Sequence, residues 1–427
     1  MSHARTRRIP RRKRLGAAAS LAALLPLSLA ACGSFGGGGD DSDESSSDGT
    51  ITFWQYYGDP EMPTGGPLYD VLEKYDKQND DVEVDVRYIP FEDFNRTLQQ
   101  AAAADELPDI ALVNAFDTQN MAEAGIISDL SDRVDEWGEQ DAYFPTSWET
   151  TQVDGATYGV PHVADAYAVY YNKDLLKAAN VKPPTTWAEM EQTATKLGGD
   201  GKYGLAVSGI EGAQGATGVV LRTLAAGGSI DEFGNGSGAE ALGSFKTLVD
   251  DGGLSKGFLT WTEEDAKNQF ATGEAAMMIN SATYVSILRD ENPQLNWGVA
   301  LLPKDETRET FLSAENLAIG EGSDDPDAAW DLITHLQKPD VLADYLPARN
   351  KLPARDDVPG TDADPVRKVF AEQLQDAWAP EGSLATHADE ALTIVQEALQ
   401  TTVSGSSSPE DAAGSAQQGI DEALSAS

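Results

Sequence analysis

From about residue 50 onward, apolar side chains recur in two alternating spacings. Residues 50–54 (TITFW) are a short, largely apolar run; Leu68, Val71, Leu72 and Tyr75 then fall three and four apart, and Val82, Val84, Val86 and Tyr88 alternate. Spacing by three and four lays one face of a helix on a core, and strict alternation does the same for a strand. Phe91, Phe94 and Leu98 predict a second helix, and Pro108-Asp109 opens a strand over 110–113. Strand, helix, strand, helix, strand is the start of a doubly wound α/β sheet. Ligands of such sheets lie outside the carboxyl ends of the strands. That rule selects two loops, Gln55-Tyr56-Tyr57-Gly58-Asp59 and Asn114-Ala115-Phe116-Asp117.

Farther on, 158–163 is a short apolar run broken by Pro161, and 167–171 is an aromatic and β-branched run. Each is long enough for one buried strand and too short for a core helix, so the pair is either a hairpin or two strands of different lobes. Thr186-Trp187-Ala188-Glu189 has the form of a capping box and opens a helix to 197. A strand over 202–208 and a glycine-rich loop over 211–217 follow. Neither GxxxxGK[ST] nor GxGxxG falls within 211–217, so those glycines are not a phosphate loop. A strand is expected over 311–320, and a helix over 327–336 with Pro326 at its start. Two closing helices cover 388–403 and 409–424, the second capped by Ser408.

Three blocks in this order carry a family resemblance. They are Gly159-Val160-Pro161, Tyr170-Tyr171-Asn172-Lys173-Asp174-Leu175-Leu176 and Pro184-Thr185-Thr186-Trp187-Ala188-Glu189-Met190. Together they resemble the bacterial extracellular solute-binding proteins of ABC importers, in the maltose-binding-protein-like branch that carries sugars. The stretch from Phe270 to Asn280 (FATGEAAMMIN) is similar to a further block of that family, as is the closing helix pair. The resemblance spans about 50–427 and implies an α/β, two-lobed periplasmic-binding-protein-like fold of class II. Each lobe would be a doubly wound sheet flanked by helices, with the ligand cleft between them. The segment around 153–176 would then be the first crossing, and 297–303 the return. Lobe 1 is expected over 50–163 and about 302–345, and lobe 2 over 164–301 and about 346–427.

The same resemblance implies the site residues. Asp59, Asn114 and Asp117 fall near the family's contact positions, and Asp165 lies where it carries an acidic contact between the crossing strands. On that reading, Asp165→Ala weakens binding at least about tenfold and leaves the unliganded melting temperature nearly unchanged. Glu211, with Gln214 beside it, sits where the second lobe meets ligand. Asn280 closes the FATGEAAMMIN block, and Tyr284 stands near the position of a stacking Trp that this chain lacks. Trp54, Tyr56, Tyr57 and Trp378 complete the set. The types suit a neutral sugar, since aromatic faces cover its C–H patches while carboxylates and amides take its hydroxyls. Core packing is an equal reading of Trp54, and a helix N-cap is the alternative for Asp117.

The first 31 residues carry seven Arg and Lys, then an apolar run interrupted by Pro26, and Leu29-Ala30-Ala31-Cys32-Gly33 closes it. This reads as a secretory leader whose end resembles a lipoprotein box, which implies that residues 1–31 would be removed and Cys32 lipidated. Cys32 is the chain's one cysteine, which excludes an internal disulfide. Residues 32–49 are Gly, Ser and acid-rich and read as a tether. Without the leader, 23 Lys and Arg face 71 Asp and Glu, a net −48. Such a charge disfavours nucleic acid or an anionic membrane surface as partner.

The expected protein is therefore a monomer on the outer face of the cell membrane, held by its lipid. Its partners are a sugar or oligosaccharide and the permease subunits of an ABC importer. No catalytic residues, cofactor or metal are expected; His162 lacks neighbours at metal-ligand spacing. Two other classes fit the composition, a surface-anchored carbohydrate-active enzyme and an adhesive lipoprotein without transport.

Overall fold

A computed structural model describes residues 49–62, 64–79, 82–349, 351–360 and 363–425. The leader, Cys32 and nearly all of the tether lie outside these residues. The strands in chain order are β1 (Thr50–Gln55), β2 (Glu83–Tyr88), β3 (Ile110–Asn114), β4 (Gln152–Val153), β5 (Ala156–Thr157), β6 (Val160–Asp165) and β7 (Tyr167–Asn172). They continue as β8 (Tyr203–Ala206), β9 (Ala275–Ser281), β10 (Trp297–Ala300), β11 (Thr310–Phe311), β12 (Ser313–Ile319), β13 (Leu352–Pro353) and β14 (Ala377–Trp378).

Two sheets organise the chain. The first has the order β13-β6-β12-β3-β1-β2 and the second β10-β7-β9-β8. In the first, β1 runs parallel to both β2 and β3, as the opening βαβαβ pattern predicts. Its helices Gly66–Asp76 and Phe91–Ala102 bury Leu68, Val71, Leu72, Tyr75, Phe94 and Leu98 as the periodicity predicts, but Phe91, also selected, stays exposed at the helix start. The second sheet is mixed, with β8 parallel and β7 antiparallel to β9.

Strands β6 and β7 do not pair with each other. Only Ala166 separates them, yet β6 lies in the first sheet against β12 and β7 in the second against β9 and β10. Of the two sequence readings, the crossing holds and the hairpin does not. All six residues of β6 are buried, which explains its unbroken apolar run. The return is not at 297–303 as expected, since Trp297–Ala300 is β10, paired with β7 in the second sheet; the chain returns through β11, which pairs with β14, and enters the first sheet again as β12.

Three segments depart from expectation. The loop expected over 211–217 is mostly helix, Ala213–Ala225, and its glycines serve close packing. A Cβ on Gly215 would stand 1.8 Å from the Ile210 carbonyl oxygen, and one on Gly218 would meet the Phe245 ring at 2.8 Å. The repeated Leu-Pro-Ala-Arg splits in two: its first copy ends the helix Pro339–Arg349, and its second contributes β13, paired with β6. The chain is thus still at the first sheet several residues past the boundary expected near 345. In the helix Trp187–Leu197, Thr186 accepts from the Glu189 N–H at 3.2 Å, but the Glu189 carboxylate reaches the N–H of Thr185.

The second core is built by the helices Ala213–Ala225, Ser237–Asp250, Ala388–Ser404 and Pro409–Leu424 around β7, β8 and β9. No helix among the described residues is long and apolar enough to cross a membrane.

Candidate functional site

A cavity of about 550 Å³ takes its walls from residues around both sheets. On one side stand Asn114, Phe116, Asp117 and Asn120 after β3, with Phe91 and Asn95 of the neighbouring helix. On the other stand Tyr167, Gln214, Thr217, Glu263 and Asp389, and Phe311 lies on the return crossing. The cavity thus sits at the carboxyl end of β3, where a doubly wound sheet presents ligand.

Of the expected site residues, Asn114 and Asp117 line this cavity. The Asn114 side chain accepts from the Phe116 N–H at 3.0 Å, which fixes the turn that presents Phe116. Asp117 occupies the N-cap position of the helix Thr118–Glu123 but caps no backbone N–H. Burial pushes its carboxyl above the usual range, Asn95 partly offsets this by hydrogen bonding, and Asp389 pushes it further up. The cap alternative therefore does not account for Asp117.

Asp165 is 2% exposed and is not part of the cavity wall. Its Oδ1 accepts from the N–H groups of Ala166 and Ala282, both at 2.8 Å, and its Oδ2 from the Thr283 hydroxyl at 2.8 Å. Lys351 Nζ lies 3.8 Å from Oδ2. The carboxylate laces the crossing to the turn after β9, and its lone pairs are spent there.

The remaining candidates lie behind or away from the wall. Trp54 is buried under the Arg87 guanidinium, at 4.4 Å, in the core between sheet and helix. Tyr56 packs edge-on against Phe91 at 5.1 Å and so supports a residue that does line the cavity. The Tyr57 hydroxyl donates to Glu315 Oε2 at 2.7 Å, with the Arg349 guanidinium 3.0 Å from its ring centre. Asp59 is exposed outside the cavity, and Glu211 lies in the turn before the helix that supplies Gln214. Asn280 is fully buried, and its Nδ2 donates to the Glu263 carbonyl at 3.0 Å. Tyr284 is half-buried near Glu263, its hydroxyl held well above its ordinary range by burial and by Glu263 and other carboxylates. Trp378 is packed 5.8 Å from Phe311 and backs that ring.

Glu263 is the residue that sequence reasoning missed. It is the first residue of the helix Glu263–Ala271, whose cap is made by Thr262 and Asp265. Because that capping box is complete without it, the Glu263 side chain is left for another task. The Tyr167 hydroxyl donates to Glu263 Oε1 at 2.6 Å, and the Glu263 N–H donates to Gln214 Oε1 at 3.3 Å. Burial raises its carboxyl, the Tyr167 bond lowers it, Asp165 raises it and Lys351 lowers it, with a net upward shift. Phe91, 56% exposed, and Phe311 were likewise missed, since an isolated aromatic carries no local signal of a cleft.

The wall carries three carboxylates, Asp117, Glu263 and Asp389, and no Lys or Arg. Glu263 and Asp389 stand in the first turns of their helices, where the positive end of the helix dipole offsets part of the charge. Phe91, Phe116, Tyr167 and Phe311 add aromatic surface. Acceptors between aromatic faces are suited to uncharged, hydroxyl-rich molecules and repel anions. Among the described residues no group of three His, Cys, Asp or Glu is placed to hold a metal ion.

Residues 70–369 match the family model described as bacterial extracellular solute-binding protein. The chain is 28% identical over 368 residues to a binding protein of Brucella abortus, covering 81% of this chain and 87% of that one. It is 23% identical to the galactooligosaccharide-binding protein of Bacillus subtilis, covering 92% and 93%. Among solved structures, the sugar-binding protein MalE of Xanthomonas citri superposes with a TM-score of 0.79 at 25% identity, covering 88% of this chain and 97% of that one.

Proposed function

The chain belongs to the bacterial extracellular solute-binding proteins, and we propose that it captures a neutral sugar or oligosaccharide in the cleft and delivers it unaltered to an ABC importer. The observation that carries this reading is the cavity wall. Asn114 and Asp117 from one sheet face Tyr167, Gln214 and Glu263 from around the other, with Phe91, Phe116 and Phe311 between. A ligand that bonds both sides favours the closed form, by no more than its difference in affinity for the two forms. The names of the relatives, galactooligosaccharide-binding and sugar-binding, support the same class of ligand.

In this reading Asp117 and Glu263 grip hydroxyls from opposite sides, and Asp165 holds the crossing. Lipidation of Cys32 would keep the protein at the outer face of the membrane, with residues 32–49 as its tether. Closed protein would then present surface from both lobes to the permease.

A thermal-shift screen of the full chain across neutral mono- and oligosaccharides, with uronic acids and sugar phosphates alongside, tests the reading. A ligand selective for the folded state raises the melting temperature by mass action. Neutral sugars should raise it and anionic ones should not. Release of shorter products from any oligosaccharide would instead favour the enzyme class.

A further inference from the structure

A second cavity, of about 390 Å³, shares Phe116 and Ala385 with the cleft. Two hollows with common walls are neighbours, and the Phe116 ring stands at their junction. The ring is half-buried and fixed, since Phe311 packs against it at 5.3 Å and its own N–H is bonded to Asn114. The second wall also includes Gln119, Thr146, Glu149, Gln152 and Asp154, and residues 379–382.

Thr146 and Gln119 donate to Ala377 and Glu123, but two acceptors of this hollow are available to a ligand. The carboxylate of Glu149, exposed at the end of the helix Pro145–Glu149, makes no hydrogen bond or ion pair among the described residues. Gln152 spends its Nε2 on the Thr151 and Thr157 hydroxyls, at 3.1 and 2.9 Å, which leaves Oε1 as an acceptor. Free acceptors beside an exposed aromatic face repeat, on the far side of Phe116, the chemistry of the cleft. Each hollow alone is large enough for a small molecule.

Resting on the sugar reading above, we propose that the ligand is a neutral oligosaccharide whose chain leaves the cleft over the Phe116 ring and ends in this second hollow. Affinity then grows with chain length until the hollow is filled, and a single sugar unit engages the cleft alone. Gln119 lines the second hollow and not the cleft, so Gln119→Trp on its helix surface blocks the outer position selectively.

The test is calorimetric titration of the full chain with galacto- and malto-oligosaccharides from one unit to five. The expected result is at least about tenfold tighter binding of the longer members of one series, from the added stacking and hydroxyl contacts. Gln119→Trp should abolish that gain and leave the shortest binding member unchanged, and Glu149→Ala should reduce it. Both variants should melt with the parent. Affinity independent of length, or a length gain untouched by both variants, would overturn the second subsite and leave the sugar reading standing. Binding of no member of either series would overturn both.

Discussion

The hydroxyl of Tyr167 donates to the carboxylate of Glu263 at 2.6 Å, joining the first residue of β7 to the first residue of the helix Glu263–Ala271. Tyr167 follows the crossing by one residue, and its own N–H donates to the Thr310 hydroxyl on the return crossing at 2.8 Å. Asn280 and Gln214 hold the Glu263 backbone from two further elements. A carboxylate of the cavity wall is thereby fixed to both crossings through one set of bonds.

Glu263→Gln is expected to weaken binding of the best sugar by roughly tenfold to a hundredfold, the worth of one hydrogen bond to a charged group. The unliganded melting temperature should hold or rise, because burial already penalises the charged form of this carboxyl. As pH falls through its raised range, the parent should lose affinity while the variant stays level. Titration at several pH values, with melting curves on the same samples, checks all three. Unchanged affinity with a lowered melting temperature would give Glu263 a structural role instead.

Asp165→Ala should act mainly on the fold, reversing the effect expected from sequence. Removing the carboxylate strands the N–H groups of Ala166 and Ala282 and the Thr283 hydroxyl. Leaving such buried donors unpaired costs on the order of 2–4 kcal/mol. Denaturant unfolding of the unliganded protein should show the loss, and Asp165→Asn, which keeps one acceptor oxygen, should lose less. An undiminished stability with impaired binding would restore Asp165 as a ligand contact.

His162 is expected to make stability fall in acid. Its ring is 1% exposed, bonded to the Tyr345 hydroxyl at 2.8 Å and to Gln337 at 2.9 Å, and burial brings its pKa down to about 3. The group is neutral when folded and takes a proton near pH 6.5 when unfolded, so the unfolded state binds more protons between these values. Stability is complete above about pH 6.5 and declines as pH drops toward 3. His162→Gln, which can bond both partners, should show a shallower decline across that window. Parallel slopes would remove His162 as the source.

Cys32→Ala should abolish incorporation of labelled fatty acid and release the protein into the medium, with sugar affinity unchanged. Fractionation of cells expressing parent and variant measures this. Retention of the variant in the membrane fraction would count against the lipid anchor.

The opening βαβαβ unit and the two closing helices were legible because their apolar spacing is a local consequence of which face is buried, whereas spacing left the pair about Ala166 open between hairpin and crossing and only the family resemblance favoured the crossing. Asn114 and Asp117 were legible for the same reason, since the ligand end of a doubly wound sheet follows from strand direction. The glycine-rich stretch at 211–217 was misread as loop because Gly215 and Gly218 serve contacts with Ile210 and Phe245 that lie outside their own helix.

Side-chain direction and competition for partners belong to the folded chain alone. Asp165 lies between two alanines and Glu263 follows Thr262, and neither setting tells which carboxylate the fold will use. Folding brings Ala282 and Thr283 onto Asp165, which uses up its oxygens, while Thr262 and Asp265 complete their cap without Glu263 and leave it facing the cleft. Sequence determined the buried runs that became strands and the loops at their carboxyl ends; the hydrogen bonds formed between distant segments decided which carboxylate is spent inside the fold and which lines the cavity.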